Sequence, residues 1–526
     1  MKYRVFVFLH LFLLIQLLGL FPQNANCQSG DLLRGEIDAR TFDFMYFVPV
    51  ESGNLITIQH LNKPDKSSNN WQINQYASNF KMMKTQGFKT PNDYKILDYY
   101  QDKDSLLHFF FGNSTSANQF IYLKYNYINS KYSSSITNSN PRVDYEFFQV
   151  LDQNQFIAGV KNPSVAANFG QFFYYFTIFP MITGSKVYSV PPVLSYRDAS
   201  GQVKDFLMDI KGESRILSAR ANTEKEIFAM LISNRHKKRT SYIYVEFDKN
   251  GNQLNRQTIT GLENKTLLTA QFVPVNDAKF LLIGTYNNLP STKSNRNDIA
   301  DGIFVAKILP DITTEFRFHP FSDFNNIKDV LDFRLRKRYE SSKRQGESID
   351  LGFKLLVHDE VLQFDSSYIV LAERYNPEYH YETFYNIYGS IYNEQVFDGY
   401  RFTDAIAAAF TSNGDLLWDN TFTINDIISY NLEENVVVYF DNETQVLLYY
   451  FDGKIYSKVI SGSELVFRKE ETEVETVDPS EKILHENYGK IYHWYDSYFL
   501  LTGYQVVIDS RGERRKVFFF VKLKFG

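Results

Sequence analysis

Eight histidines follow residue 27: His60, His108, His236, His319, His358, His380, His485 and His493. Imidazole moves protons near neutral pH and is the commonest protein ligand for metals. No two of these stand at the separation that would put both on one helical turn. Each therefore reads as an isolated surface or core residue, and no metal is expected. Cys27 is the only cysteine, so neither an internal disulfide nor a cysteine zinc site can form. Carboxylates are abundant, with 61 Asp and Glu. Two of them brought together by the fold could act as acid and base on a glycosidic bond. The chain has no G-x-S-x-G elbow, no H-E-x-x-H, no glycine-rich phosphate loop and no EF-hand. Asp248-Lys-Asn250-Gly251-Asn252 begins like a calcium loop, but its glycine comes at the fourth position rather than the sixth. It reads as a hairpin turn. No catalytic residue and no cofactor is expected from motifs.

Recognition chemistry concentrates in residues 374–400. This segment joins two strand-like runs and holds Tyr375, Tyr379, Tyr381, Phe384, Tyr385, Tyr388 and Tyr392, followed by Phe397 and Tyr400. Tyrosine gives contact area and a hydroxyl at low entropic cost, and connections this long are usually functional. The first seven are the expected partner-binding residues; the plainer reading is a long hairpin packed on a neighbouring helix. A basic group, Arg334, Arg336, Lys337, Arg338, Lys343 and Arg344, sits on an expected helix. It reads as a solvated face, with a lipid headgroup or an acidic partner as the alternative.

The elements that must position these residues are mostly strands. Short apolar runs alternate with turn signals along the chain, the all-β pattern. Phe280-Leu-Leu-Ile-Gly284 with Gly302 to Ile308 aligns with Phe499-Leu-Leu-Thr-Gly503 with Val517 to Leu523. Tyr242 to Asn252 aligns with Ala405 to Asp415 through an Asn-Gly turn, read as a two-residue type I′ hairpin. Asp452-Gly453 reads the same way. Units begin near Tyr46, Leu106, Phe156, Ile227, Phe280, Tyr368, Val436 and Phe499. Degenerate units that bury little alone point to radial repetition. The expected fold is an all-β β-propeller of about seven four-stranded blades, with six to eight allowed. The final strand should pair with the start of the mature chain and close the ring. Ile327, Leu331 and Leu335 recur at helical spacing, so a helical insertion is expected near 325–346, capped by Ser322 or Asp323 and ended by Gly346. A transmembrane β-barrel is the rival. Runs apolar on both faces, such as Phe518-Phe-Phe-Val521, argue against it.

Export is expected. Lys2 and Arg4 precede an apolar stretch from Val5 to Leu20 and a polar segment ending Ala25-Asn-Cys27, the layout of a cleavable signal over residues 1–27. A single propeller domain over 28–526 would follow. Acylation of Cys27 is the rival reading, disfavoured by Asn24 and Asn26. Loss of residues 1–27 leaves 54 basic against 61 acidic residues, so no nucleic-acid footprint is present. No later apolar run is long enough to span a membrane.

His358-Asp359, Tyr368 to Glu373, Val396 to Phe402 and Leu416 to Phe422 carry a family resemblance. The chain resembles an uncharacterised family of exported proteins of Bacteroidota cell envelopes, most strongly over residues 325–430. The resemblance implies a periplasmic or outer-membrane-associated setting and transfers no catalytic residue. The expected function is non-enzymatic binding of an envelope or outer-membrane protein, in its sharpest form as an accessory subunit of a transport or secretion complex. The alternative is a glycan-binding or glycan-cleaving propeller, which requires an acidic cluster near the central opening.

Overall fold

The computed structural model describes residues 33–525, apart from residues 113–118, 139–142, 162–190, 289–297, 386–390 and gaps of one or two residues. The expected signal segment, Cys27 and Tyr388 lie outside the described residues, as do the side chains of Tyr385 and Tyr392.

The described strands form eight antiparallel sheets, at the upper end of the expected range. Sheets 1 to 7 follow in chain order over residues 42–91, 95–138, 143–207, 213–258, 265–320, 355–429 and 437–473. Sheet 8 combines residues 482–524 with the first described strand, Leu33–Asp38. That strand pairs antiparallel with Arg514–Lys524, from Leu33 opposite Lys522 to Asp38 opposite Val517. The expected ring closure is therefore present.

Each sheet is covered on both faces, which explains the doubly apolar runs. In Arg514–Lys524, Phe519 and Val521 pack towards sheet 7, whereas Phe518 and Phe520 pack towards sheet 1. In Leu106–Gly112, Leu107, Phe109 and Phe111 face sheet 1, and Phe110 faces sheet 3. Eight apolar clusters result, one at every junction of neighbouring sheets including that of sheet 8 with sheet 1. The first strands of neighbouring sheets touch, so these strands line the axis. This is a closed propeller, held by burial between sheets rather than by any single core.

Charged groups lock the closure. Arg515 reaches both Glu36, at 2.5 Å, and Glu481, while Arg34 bonds Gln505 at 2.7 Å. A chain truncated after Asp38 should expose the full edge of Arg514–Lys524. We expect its thermal midpoint to fall by more than about 5 °C and its gel-filtration profile to show aggregates. A truncated chain that melts and elutes like the full one would show that the ring does not depend on this pairing.

Two local expectations change. The helix is Phe333–Gln345, and its cap is Asp332, whose Oδ1 accepts the N–H groups of Arg334 and Leu335 at 2.8 and 2.9 Å. Ser322 and Asp323 belong instead to the short 3₁₀ turn Phe321–Asp323, and a second such turn, Ile327–Val330, lies before Asp332. Gly346 does end the helix, in the left-handed conformation. The turns at Gly251 and Gly414 are wider than type I′: Gly251 N–H bonds Asp248 O, and Asp248 N–H bonds Asn252 O. Of the three turns read this way, Asp452-Gly453 alone has two residues, both at positive φ. The described residues of 374–400 take the plainer of their two readings. They continue the strands Ser367–Tyr385 and Ile391–Thr411 into one long hairpin.

Candidate functional site

The turns that link first to second and third to fourth strands share one face of the ring. There, sheets 2 to 6 enclose a cavity of about 1290 Å³. Its lining includes Asp102, Asp152, Asp198, Glu224, Asp277 and Glu360, against Lys124, Arg197 and Arg220. Six carboxylates and three basic groups thus line one cavity, spread over five sheets.

One constellation in this lining has defined proton chemistry. Strand Leu106–Gly112 alternates, and His108 falls on the same face as Phe110, towards sheet 3. Tyr122 lies on the adjoining strand, Gln119–Asn126, in contact with both rings. His108 Nδ1 meets the Tyr122 hydroxyl at 2.6 Å, and Nε2 meets Asp102 Oδ2 at 2.7 Å. Asp102 Oδ1 is itself held by the Leu106 N–H at 2.9 Å. An ionised carboxylate only accepts, so Nε2 carries a proton and Nδ1 of the neutral ring accepts from Tyr122. Burial pulls the His108 pKa below the ordinary value, opposed by the Asp102 hydrogen bond and charge. Burial, with the Asp102 charge, pushes the Tyr122 hydroxyl far up. The resting state is thus a tyrosine hydroxyl, a neutral imidazole and a carboxylate in series. Tyr122 can take a proton from a bound molecule as it passes its own to His108, and Asp102 stabilises the resulting imidazolium.

A second cluster lies on the axis. Asp98, on the first strand of sheet 2, is pushed up to about 6 by burial and by the charge of Asp359, against a hydrogen bond from Tyr99 N–H. Asp359 belongs to sheet 6, on the opposite side of the ring, so these carboxylates face each other across the channel. Asp359 is itself raised, by burial and then by Glu434, whose Oε1 accepts the Asp359 N–H at 2.7 Å. Tyr99 is 36% exposed, yet burial raises its hydroxyl as well. A carboxylate forced to ionise in such a site costs stability above its unfolded-state pKa. We therefore expect Asp98→Asn to stabilise the protein at pH 7 and to have little effect at pH 3, both read by thermal melting. Equal effects at the two pH values would contradict the shift.

The residues expected from the tyrosine-rich segment are elsewhere. The second-to-third-strand hairpin that carries them projects from the face opposite the cavity. Tyr379 and Tyr381 are exposed; Tyr375 is half-buried against Tyr400 and Phe402. Phe384 is half-buried. The aromatic contacts run along the hairpin itself, Tyr379 to Phe397 and Phe397 to Tyr400. The fold brings none of them to the cavity. Among the described residues no group of His, Cys, Asp and Glu could hold a metal, and no helix is long and apolar enough to cross a membrane.

No family model and no curated protein matches this chain. Solved structures similar to it include a prolyl endopeptidase, at 9% identity over 90% of this chain and 54% of that one, TM-score 0.38. Others are a dipeptidyl aminopeptidase IV-like protein of Bacteroides ovatus, at 10% over 84% and 56%, TM-score 0.35, and a polysaccharide lyase, at 8% over 81% and 89%, TM-score 0.32. The chain spans little more than half the length of the two peptidases. A relay of proton-transfer groups lies in the wall of the cavity, remote from the aromatic hairpin. The expectation of a non-enzymatic protein that binds an envelope partner is corrected accordingly.

Proposed function

We propose that this propeller binds a glycan in the cavity over sheets 2 to 6 and hydrolyses it: Tyr122, His108 and Asp102 take a proton from a water that attacks the anomeric carbon, while a carboxylic acid of the lining gives its proton to the departing sugar oxygen. The relay's position in the cavity wall carries the reading. Volume and polarity fit a chain of sugar rings, whose hydroxyls can pair with a lining of carboxylates, amides and hydroxyls. Tyr122 and Tyr368 both reach the lining. Six carboxylates against three basic groups leave the cavity negative, so neutral or amino sugars fit better than polyuronates or sulfated chains. We further propose that the chain is exported through residues 1–27 and acts at the cell envelope, as its leader pattern and family resemblance imply.

The test is a panel of neutral, amino and acidic polysaccharides incubated with the purified protein. Products are read as new reducing ends. Cleavage of a neutral or amino glycan supports the reading; neither cleavage nor binding of any glycan on the panel overturns it.

A further inference from the structure

The helix Phe333–Gln345 stands between sheets 5 and 6 and has two unlike sides. Leu335 packs on the core, and Tyr339 is buried, with its hydroxyl donating to Phe324 O at 2.6 Å. The side turned away carries Phe333, Arg334, Lys337, Arg338 and Arg344, all exposed. At 100° per residue these five fall within one contiguous arc. Arg336 is spent elsewhere, bonding the carbonyls of Lys328 and Asp329. Glu340 lies at the margin of the arc, and Asp332 is used as the cap. A cationic face on a chain of net charge −5 is a local reversal of sign.

Charge alone would describe a solvated helix. Phe333 is the second observation. It is 81% exposed, more than any other large apolar residue described, and it stands at the edge of the cationic arc. An exposed aromatic bordering four cations matches a bilayer surface, where the ring enters the interface and the cations meet anionic headgroups. A soluble polyanion would use the charges and leave the ring in water.

We infer that this helix face docks the propeller on an anionic membrane surface. The contact is peripheral, made by one helix and one ring, and it falls on the outer wall between sheets 5 and 6. It leaves the cavity mouth accessible to long substrates.

The test is co-sedimentation of the full chain with phosphatidylcholine vesicles, with and without phosphatidylglycerol, at low and high salt. Binding should require phosphatidylglycerol and weaken as salt screens the charges. Each cation near such a surface is worth roughly fivefold, so R334Q, K337Q and R338Q together should weaken partitioning about a hundredfold. Phe333→Ser keeps every charge and should weaken it about tenfold. Since these side chains are exposed, melting curves should match the wild type; if the triple variant unfolds, Phe333→Ser and the salt series decide. Absence of binding to anionic vesicles overturns the inference, as does equal binding to neutral ones. Dextran sulfate binding that survives Phe333→Ser, with vesicle binding unaffected by it, also overturns it and assigns the face to polyanions.

Discussion

Replacing His108 with alanine should reduce glycan cleavage by roughly 10²–10⁴-fold, the range for loss of a positioned acid–base group. The effect is large because nothing else described can take the proton from Tyr122: its hydroxyl points at Nδ1 at 2.6 Å. Tyr122→Phe keeps the ring between His108 and Phe110 and removes only the oxygen, so it should fall as far while melting normally. Asp102→Asn tests the tautomer. The amide can donate to Nε2, which turns Nδ1 into a donor facing Tyr122 and blocks the transfer. The pH dependence follows from the direction of the shift. Burial holds the His108 pKa below its usual value, and the relay needs the neutral ring. Activity should therefore rise through a pH below about 6.5 and then level off. That limb should vanish from whatever activity His108→Ala retains. If His108→Ala keeps activity within about threefold, far less than a relay predicts, the chemistry lies elsewhere, and Asp98 with Asp359 becomes the pair to replace.

The ring was legible because its burial is periodic. Tyr46, Leu106, Phe156, Ile227, Phe280, Tyr368 and Phe499 fall in different sheets, most of them on the second strand, and Val436 immediately precedes the remaining one. The two internal alignments were also in phase: Phe280 with Phe499 matches second strands, and Tyr242 with Ala405 matches third strands. Runs such as Phe518 to Val521 betrayed strands covered on both faces. The site was not legible for the opposite reason. His108 sits in Leu-Leu-His-Phe-Phe-Phe, where a lone histidine looks like a tolerated core residue. Its partners come from a turn preceding the strand and from the strand after it, so no fixed spacing announces them. The only local signal was a histidine on the same strand face as Phe110, a polar group that must find partners when buried. Asp98 and Asp359 meet only because the ring closes. The tyrosine-rich segment is carried away from the cavity by its hairpin, along which Tyr375 and Tyr379 contact Tyr400, Phe402 and Phe397.

Glu373→Ala should be the most damaging single change to stability, by about 3–5 kcal/mol, the cost of breaking a buried ion pair by removing one partner. Glu373 is fully buried. Its carboxylate accepts from His358 Nε2 at 2.8 Å, Asn435 N–H at 2.7 Å, Asn435 Nδ2 at 2.8 Å and Val436 N–H at 2.8 Å. It thus ties sheet 6 to the segment that leads into sheet 7. Burial pulls the His358 pKa down, but the Glu373 hydrogen bond, with Glu434 and Asp359, outweighs it, and the net shift is upward. A base raised on folding contributes stability that is full below its unfolded pKa, about 6.5. That contribution is lost as pH rises through the folded value. Denaturation midpoints of the wild type should accordingly decline across that window, and Glu373→Ala should flatten the decline as well as lower the midpoint. The same change should reach the axis, because His358 lies beside Asp359 and Glu434, whose backbone and side-chain contact holds that pair in place. In Glu373→Ala, Asp98 should titrate somewhat lower but stay raised, since its burial is unchanged and only the smaller contribution of Asp359 is loosened. A variant with wild-type stability and an unmoved Asp98 titration would falsify the view that Glu373 organises the axial cluster.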